Sequence, residues 1–222
     1  HRLSLSSFNL NSLKKNVLIS GFKKNAGRNI KGFITVRHKV NKTNKNYVFV
    51  DFNRKLFTKT AICVNLSRDP NRTAFIALIK YSNGAYSYIL APHGLINGSV
   101  VRTIVVPQIL YYDYKLGCNV FLRNLNNRSI FYNLEIQFNR GAQYARSAGT
   151  YCILLNNDFE TNISKVRLPS NKIINVSSDC MVSLGRVSNI HNNKKIVGKA
   201  GRNILKGKRP SVRGVAMNPV DH

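Results

Sequence analysis

Acidic residues are almost missing from this sequence: 8 Asp and Glu stand against 35 Lys and Arg in 222 residues, a formal net charge of +27. Tryptophan is absent, and no run of 18 apolar residues occurs, which excludes a transmembrane helix. So few carboxylates argue against a hydrolase built on paired acids. Because 43% of the residues are hydrophobic, the chain is too apolar for a disordered polycation. The composition favours a folded protein that binds nucleic acid, with a membrane surface as the weaker option.

Cysteine is scarce and dispersed, and no C-x-x-C pair occurs. The four cysteines are Cys63, Cys118, Cys152 and Cys180. We interpret them as reduced, mostly buried side chains, since neither a disulfide framework nor a zinc site has such spacing. A phosphate-binding P-loop is also missing, because the nearest approach, over residues 201–209, has too many residues between its glycines. These absences leave no positive case for an enzyme.

The positive charge is concentrated at the two ends of the chain. Residues 1–50 carry 11 Lys or Arg and no acid, residues 180–220 carry 9 and no acid, and residues 51–179 mix 15 basic with 7 acidic residues. Two such ends repel each other at close range unless an anion lies between them. We expect both to be solvated in the free protein and to order on phosphate. Residues 1–15 superficially match an organelle transit peptide, but we interpret them as a basic extension.

The middle of the chain predicts short strands without sustained helical periodicity. Asn83-Gly84, between two apolar runs, is a strong hairpin signal. The predicted strands are Tyr47–Phe52, Ala74–Tyr81, Ala85–Ala91, Val100–Val106, Ser129–Gln137, Tyr151–Leu155, Lys165–Leu168, Lys172–Val176 and Met181–Leu184. This pattern is typical of small barrels or sandwiches, and a break near Pro107–Gly117 divides two units of roughly 70–90 residues.

Cations placed beside small residues favour RNA or DNA as the partner. Residues 27–39 interleave basic residues with glycines, and residues 139–149 join Arg140 and Arg146 to a run of small side chains. Small side chains let the backbone come close to a nucleic acid, so that its N–H groups can donate to phosphate oxygens. Tyr144 is a candidate for stacking on a base, although a packing role explains it at least as well.

The tail closely resembles a known family. Residues 210–221, PSVRGVAMNPVD, fit without a gap the signature of the universal second protein of the large ribosomal subunit. Further strings follow in that family's order: GRNIKGFITVRH (27–38), VDFNR (50–54), DPNRTAFIAL (69–78), YILAPHGL (88–95) and GAQYARSAGTY (141–151). The resemblance implies an all-β protein, an OB-fold barrel followed by an SH3-like barrel. The expected divisions are a basic N-terminal extension (1–29), the OB-fold RNA-binding domain (30–107), the SH3-like domain (108–198) and a basic C-terminal extension (199–222).

The resemblance also implies a function. A member of this family is a structural constituent of the large ribosomal subunit that binds large-subunit rRNA and supports assembly. It lies near the peptidyl transferase centre and a bridge to the small subunit. The expected partners are large-subunit rRNA, neighbouring ribosomal proteins and the small subunit, with no membrane, no metal site and no cofactor; Mg²⁺ ions that bridge to rRNA are left open. His222 matches a family histidine near that centre, and we assign it a positioning role for RNA or water, not catalysis.

Charge pattern and resemblance together predict a set of rRNA-binding residues. They are Arg28, Lys31, Arg37, His38, Arg54, Arg72, Arg140, Arg146, Lys199, Arg202, Lys206, Lys208, Arg209, Arg213, Asn218 and His222. Among these we expect Arg209 and Arg213 to matter most, because Pro210 and Gly214 beside them restrict the chain geometry.

The sequence departs from the family in two respects. The family continues past this histidine into a Pro-His-Gly-Gly-Gly loop and a basic tail, so either the polypeptide is truncated at His222 or a separate chain from a split gene supplies the rest. Residues 55–66 and 95–139 depart further and are rich in Asn, Tyr and Ile. Such drift suggests an organellar homologue, and we predict the mitochondrial matrix, in the large subunit of the mitochondrial ribosome. The alternatives are a DNA-compacting or general nucleic-acid-binding protein outside the ribosome and, least favoured, an enzyme using His222 or the cysteines.

Overall fold

Strands and irregular loops make up nearly all of the computed structural model, which describes residues 18–22, 25–40, 45–56, 59–104 and 115–222. The strands are β1 (Ile19–Phe22), β2 (Lys45–Val48), β3 (Thr60–Arg68), β4 (Phe75–Tyr81), β5 (Tyr86–Leu90), β6 (Val100–Ile104), β7 (Asn119–Phe121), β8 (Ile130–Tyr132), β9 (Leu134–Glu135), β10 (Ala142–Tyr144), β11 (Cys152–Asp158), β12 (Ile163–Arg167), β13 (Ile173–Ser177) and β14 (Met181–Leu184). A short helix, α1 (Ala200–Leu205), lies in the tail, and 3-10 turns occupy Leu122–Asn124, Ile190–Lys194, Gly214–Ala216 and Pro219–Asp221. The all-β prediction is confirmed. No helix within the described residues is long and apolar enough to cross a membrane.

Ten strands form one continuous sheet in the order β13-β12-β11-β8-β14-β7-β6-β3-β4-β5. Neighbouring strands are antiparallel except β6 and β7, where Thr103 pairs with Asn119 and Ile104 with Val120. This parallel pair joins two units with separate cores. One core, around Ile79 and Val101, is built from residues of the chain from β3 to β6. The other, around Phe131 and Val182, is built almost wholly from residues of β7 to β14 and their connections. Two units were predicted, whereas the domain limits 30–107 and 108–198 stay predictions.

The two units are also bonded to each other away from that strand pair. A third apolar cluster combines Ile76 and Leu90 of the first unit with Tyr132 and Val187 of the second. The Tyr132 hydroxyl donates to the Leu90 carbonyl over 3.1 Å. Ser188 bonds to the first unit twice: its N–H donates to the Ala91 carbonyl over 3.0 Å, and its Oγ accepts from the Phe75 N–H over 3.0 Å. Buried polar contacts of this kind fix how the two units face one another.

The β4–β5 hairpin forms where the sequence predicts it. Gly84 takes φ +80° in the turn, a conformation that favours glycine, and the Tyr81 N–H donates to the Ala85 carbonyl over 2.8 Å. Lys80 pairs with Tyr86, so the pairing of β4 with β5 begins immediately beside the turn. Short-range turn chemistry alone specifies this feature.

Other strand predictions need correction. The longest strand, β3, was not predicted, because Thr, Asn and Ser interrupt its apolar pattern and a bulge between Cys63 and Asn65 shifts its register. The single strand predicted over Ser129–Gln137 is divided into β8 and β9 by Asn133, which takes φ +54°. The strand predicted from Tyr47 begins at Lys45 and ends at Val48. Residues 105–106 of the predicted strand Val100–Val106, and most of the predicted break near Pro107–Gly117, lie outside the described residues.

All four cysteines are buried and none forms a disulfide, which agrees with their interpretation as core side chains. Burial raises the pKa of Cys63 to about 11 and that of Cys152 to about 12. Burial, followed by the charges of Glu135 and Asp179, raises the pKa of Cys180 to about 11. The thiols of Cys63, Cys152 and Cys180 are therefore neutral and poorly nucleophilic near pH 7 in the folded protein.

The raised thiol pKa values predict a loss of stability in alkali. In the unfolded chain these thiols titrate near their usual pKa of 9.0, whereas the folded protein retains their protons to about pH 11. Above pH 9 the unfolded state therefore binds fewer protons, and the free energy of unfolding should fall as pH rises. Denaturant unfolding between pH 7 and pH 10.5 measures this fall, which should be shallower in Cys152→Ala. Equal slopes for the two proteins would contradict the assignment.

Candidate nucleic-acid interface

A tight turn at Gly27 shapes the first basic segment, which we call the N-terminal loop (residues 25–40). The Gly27 carbonyl accepts the N–H groups of Thr35 and Val36 over 2.9 and 3.0 Å. Gly27 takes φ +75°, and a side chain there would collide with the Val36 carbonyl oxygen, so this close approach requires glycine. The loop presents its predicted contact residues to solvent: Arg28, Lys31, Arg37 and His38 are all exposed.

The second basic segment, the C-terminal tail (residues 199–222), is built almost entirely from exposed residues. Helix α1 contains no buried residue, and seven of the predicted contacts lie exposed on this tail: Lys199, Arg202, Lys206, Lys208, Arg209, Arg213 and Asn218. His222 is also exposed. Apolar side chains are left uncovered in both segments, with Ile30 at 103%, Phe33 at 69% and Val215 at 86% relative exposure. Such residues in an otherwise well-packed protein indicate a surface that something else covers.

A third cationic element follows Glu135, one of the few acids in the chain. Glu135 is buried, and its carboxylate accepts the N–H groups of Asn139, Gly141 and Met181 over 3.3, 3.0 and 3.1 Å. These bonds hold residues 136–141 as a defined loop that presents Arg140 to solvent. Arg140 is among the predicted contact residues, whereas Glu135 was not predicted to have a role, because a lone carboxylate inside a predicted strand gives no local signal.

Two of the predicted arginines flank one aromatic ring. The guanidinium carbons of Arg72 and Arg146 lie 5.9 and 4.9 Å from the centroid of the Phe52 ring. The Arg72 side chain is largely enclosed, since it pairs with Asp69 and donates to the Val48 carbonyl. Arg146 is exposed. Phe52 therefore orients two cations that are 74 positions apart in sequence, on elements of both units.

An open cleft connects this aromatic centre with the Glu135-supported loop. It is lined by Asp51, Phe52, Asn53, Arg140, Gly141 and Arg146. Gly141 takes φ +84°, and a side chain there would collide with Asn53 Oδ1. Glycine thus keeps the two walls of the cleft close together. Close approach of a nucleic-acid backbone to these small residues stays a prediction.

Arg54 is in a different environment from the other predicted contacts. Only 4% of it is exposed, and its Nη1 donates to the Gly117 carbonyl over 3.2 Å, across the boundary between the two units. Burial raises the pKa of Tyr81, and the nearby Arg54 charge opposes that rise. Because a phosphate cannot reach this guanidinium, we remove Arg54 from the set of proposed rRNA contacts and interpret it as an interdomain link.

The structure also brings the two basic segments into direct contact. The Arg209 N–H donates to the His38 carbonyl over 3.0 Å, and the Val40 N–H donates to the Gly207 carbonyl over 3.1 Å. Between these two bonds, Lys39 and Lys208 pair as an antiparallel bridge. Lys208 is among the predicted contact residues and Lys39 is not, and no sequence feature signals this pairing. Within the described residues, no group of three or more His, Cys, Asp or Glu side chains is placed to hold a metal ion.

Both units match known protein families. The profile described as "Ribosomal Proteins L2, RNA binding N-terminal domain" matches residues 15–103, and "Ribosomal Proteins L2, C-terminal domain" matches residues 115–222. These matches confirm the predicted order of an OB-fold barrel followed by an SH3-like barrel. Among similar proteins is the large ribosomal subunit protein uL2 of Paracoccus denitrificans, 43% identical over 92% of this chain and 71% of its own length. The uL2 proteins of Hyphomonas neptunium and Parvibaculum lavamentivorans are 42% and 44% identical over 92% of this chain and 72% and 71% of their own lengths.

Proposed function

Because the chain belongs to the ribosomal protein L2 family, we propose that it binds large-subunit rRNA as a structural constituent of the large ribosomal subunit. The observation that carries the proposal is the exposure of twelve of the sixteen predicted contact residues on the N-terminal loop and the C-terminal tail, in which Asp221 is the only acid. Cations in this setting neutralise phosphates and release counterions. The glycines at 27 and 141 fit tightly against Val36 and Asn53, and they shape the loops that present these cations.

Every proposed contact residue except Arg72 is exposed. The proposed residues are Arg28, Lys31, Arg37, His38, Arg72, Arg140, Arg146, Lys199, Arg202, Lys206, Lys208, Arg209, Arg213, Asn218 and His222. Arg72 is included although its side chain is largely enclosed, because it lies against the same Phe52 ring as the exposed Arg146. Mg²⁺ ions that bridge protein and rRNA are compatible with this set, and no protein-held cofactor is part of the proposal.

We further propose that the protein supports subunit assembly and lies near the peptidyl transferase centre and a bridge to the small subunit. The support is family membership together with the exposed tail, whose apolar residues need a covering surface. In this proposal peptidyl transfer is carried out by RNA, and the exposed His222 positions RNA or water. The proposed location is the mitochondrial ribosome, supported by the Asn-rich composition, with 29 Asn in 222 residues.

Sedimentation tests the function as a whole. Lysate from purified mitochondria of the source organism is separated on sucrose gradients at moderate and then high salt, and the protein is followed by mass spectrometry. Co-migration with the large subunit at both salt concentrations is the expected result. Migration with DNA, or as free protein, would overturn the ribosomal proposal and favour a general nucleic-acid-binding role. Absence from mitochondria but presence in ribosomes elsewhere would overturn only the location.

Replacing both Arg209 and Arg213 with alanine should reduce incorporation of the protein into large subunits. Both side chains are exposed on the tail, and each guanidinium is able to bridge two phosphate oxygens. Tagged wild-type and Arg209→Ala/Arg213→Ala proteins are compared by their recovery in the large-subunit peak. The matched control is Lys165→Ala/Arg167→Ala, which removes the same charge from exposed positions on β12. Normal incorporation of the tail variant would contradict the assigned role.

A further inference from the structure

The contact between the N-terminal loop and the C-terminal tail joins two like-charged segments. Residues 37–40 and 206–209 run antiparallel, with Lys39 directly opposite Lys208 and with Arg37, His38, Lys206 and Arg209 beside them. No Asp or Glu occurs in residues 25–40 or 199–220. The one acid of the tail, Asp221, lies 13 positions beyond Lys208, so neither of the two paired stretches contains an acidic side chain that neutralises this cluster.

Such a pairing is unfavourable for the protein alone. Like charges directly opposite each other on antiparallel strands are destabilising. An isolated pair of short strands is at best marginally stable in water, and here two hydrogen bonds of 3.0 and 3.1 Å flank a single bridge. Lys39, Lys208 and Arg209 are all exposed, so burial of these side chains contributes little to holding the segments together.

The backbone is nevertheless specialised for this contact. Gly207 takes φ +87°, and a side chain there would lie 3.1 Å from the Val40 carbonyl oxygen. On the other side, the Gly27 turn determines the path of the loop that leads to Lys39. Two glycines with positive φ thus bring two cationic segments together, although their charges oppose this approach.

We propose that residues 37–40 and 206–209 form one composite phosphate-binding site. In this site rRNA phosphates stabilise the pairing, and each segment needs the other in order to bind the phosphates tightly. This inference rests on the proposed rRNA-binding function. It adds that two segments about 170 positions apart act as a unit, and that Lys39 belongs to the site. The shared anion supplies the counter-charge that both segments lack.

A double-mutant cycle on the full chain tests the coupling. Affinity for Paracoccus denitrificans large-subunit rRNA, transcribed in vitro, is measured for wild type, Lys39→Ala, Lys208→Ala and the double variant. Each single substitution should weaken binding roughly tenfold, and the double variant should be only slightly weaker than either, because the first substitution already disrupts the shared site. The matched control is Lys31→Ala with Arg202→Ala, two exposed cations outside the bridge, whose effects should multiply.

A charge reversal provides a second readout. In Lys39→Glu, an ion pair with Lys208 should stabilise the bridge without RNA while weakening rRNA binding. Amide hydrogen exchange should then show Val40 and Arg209 protected in the free variant, whereas wild type gains this protection only with RNA. Multiplicative effects of Lys39→Ala and Lys208→Ala, or equal protection in free and bound wild type, would overturn the composite site alone. Failure of wild type to bind the rRNA would overturn the proposed function as well.

Discussion

Replacing Glu135 with alanine should lower the free energy of unfolding by roughly 3 kcal/mol, because several backbone N–H groups then lose their acceptor and a buried donor left unpaired costs about 1–3 kcal/mol. The affected donors are the N–H groups of Asn139, Gly141 and Met181. Denaturant unfolding at pH 7 measures the change. We also expect about tenfold weaker rRNA binding, since residues 136–141 lose the anchor that presents Arg140.

Glu160→Ala is the matched control for this prediction. Glu160 is exposed, and its replacement changes the net charge by the same amount as Glu135→Ala. Its effect on stability should stay within about 0.5 kcal/mol, as is usual for surface substitutions. Glu135→Gln, which keeps the volume and one acceptor oxygen, should be intermediate. Equal stability of the two alanine variants would show that Glu135 does not hold the loop.

The affinity for rRNA should fall by a factor of about 10³–10⁵ between 50 and 200 mM salt, as expected for 6–10 phosphate contacts. The physical reason is counterion release: each phosphate that a Lys or Arg neutralises frees a condensed cation, and added salt opposes that release. For about 10 engaged phosphates, the slope of log affinity against log salt should be near −9. Fluorescence anisotropy of labelled rRNA over this salt range measures the slope.

Variants of the tail make the salt prediction specific. Arg209→Ala/Arg213→Ala should reduce the magnitude of the slope by about 2, because two phosphate contacts are lost. Arg54→Gln should leave the slope unchanged, because its guanidinium is buried and bonded to the Gly117 carbonyl. A wild-type slope close to zero would contradict a phosphate-dominated interface. A reduced slope in Arg54→Gln would return Arg54 to the contact set.

Local chemistry made part of the fold predictable. The Asn83-Gly84 turn specifies the β4–β5 hairpin, because glycine readily adopts the positive φ that Gly84 takes there. Strand β3 was missed, since its stability comes from pairing with β4 and β6 and not from its own polar-interrupted pattern. The same distinction separates Arg140 from Glu135. Arg140 was singled out from its neighbouring small residues together with the charge of the whole chain, whereas Glu135 acquires its role only from three N–H donors in two different segments.

The sequence by itself determined the polyanionic class of partner, the all-β character and the family, because these depend on composition, turn chemistry and motif strings that are independent of packing. Only the tertiary structure decided which cations are available. It enclosed Arg54 between the two units, placed Arg72 and Arg146 around Phe52, and paired Lys39 with Lys208. Charge is a property of a residue, but exposure and proximity depend on residues far away in the chain. Long-range packing therefore determines which basic residues, among those that the structure describes, remain available to a partner.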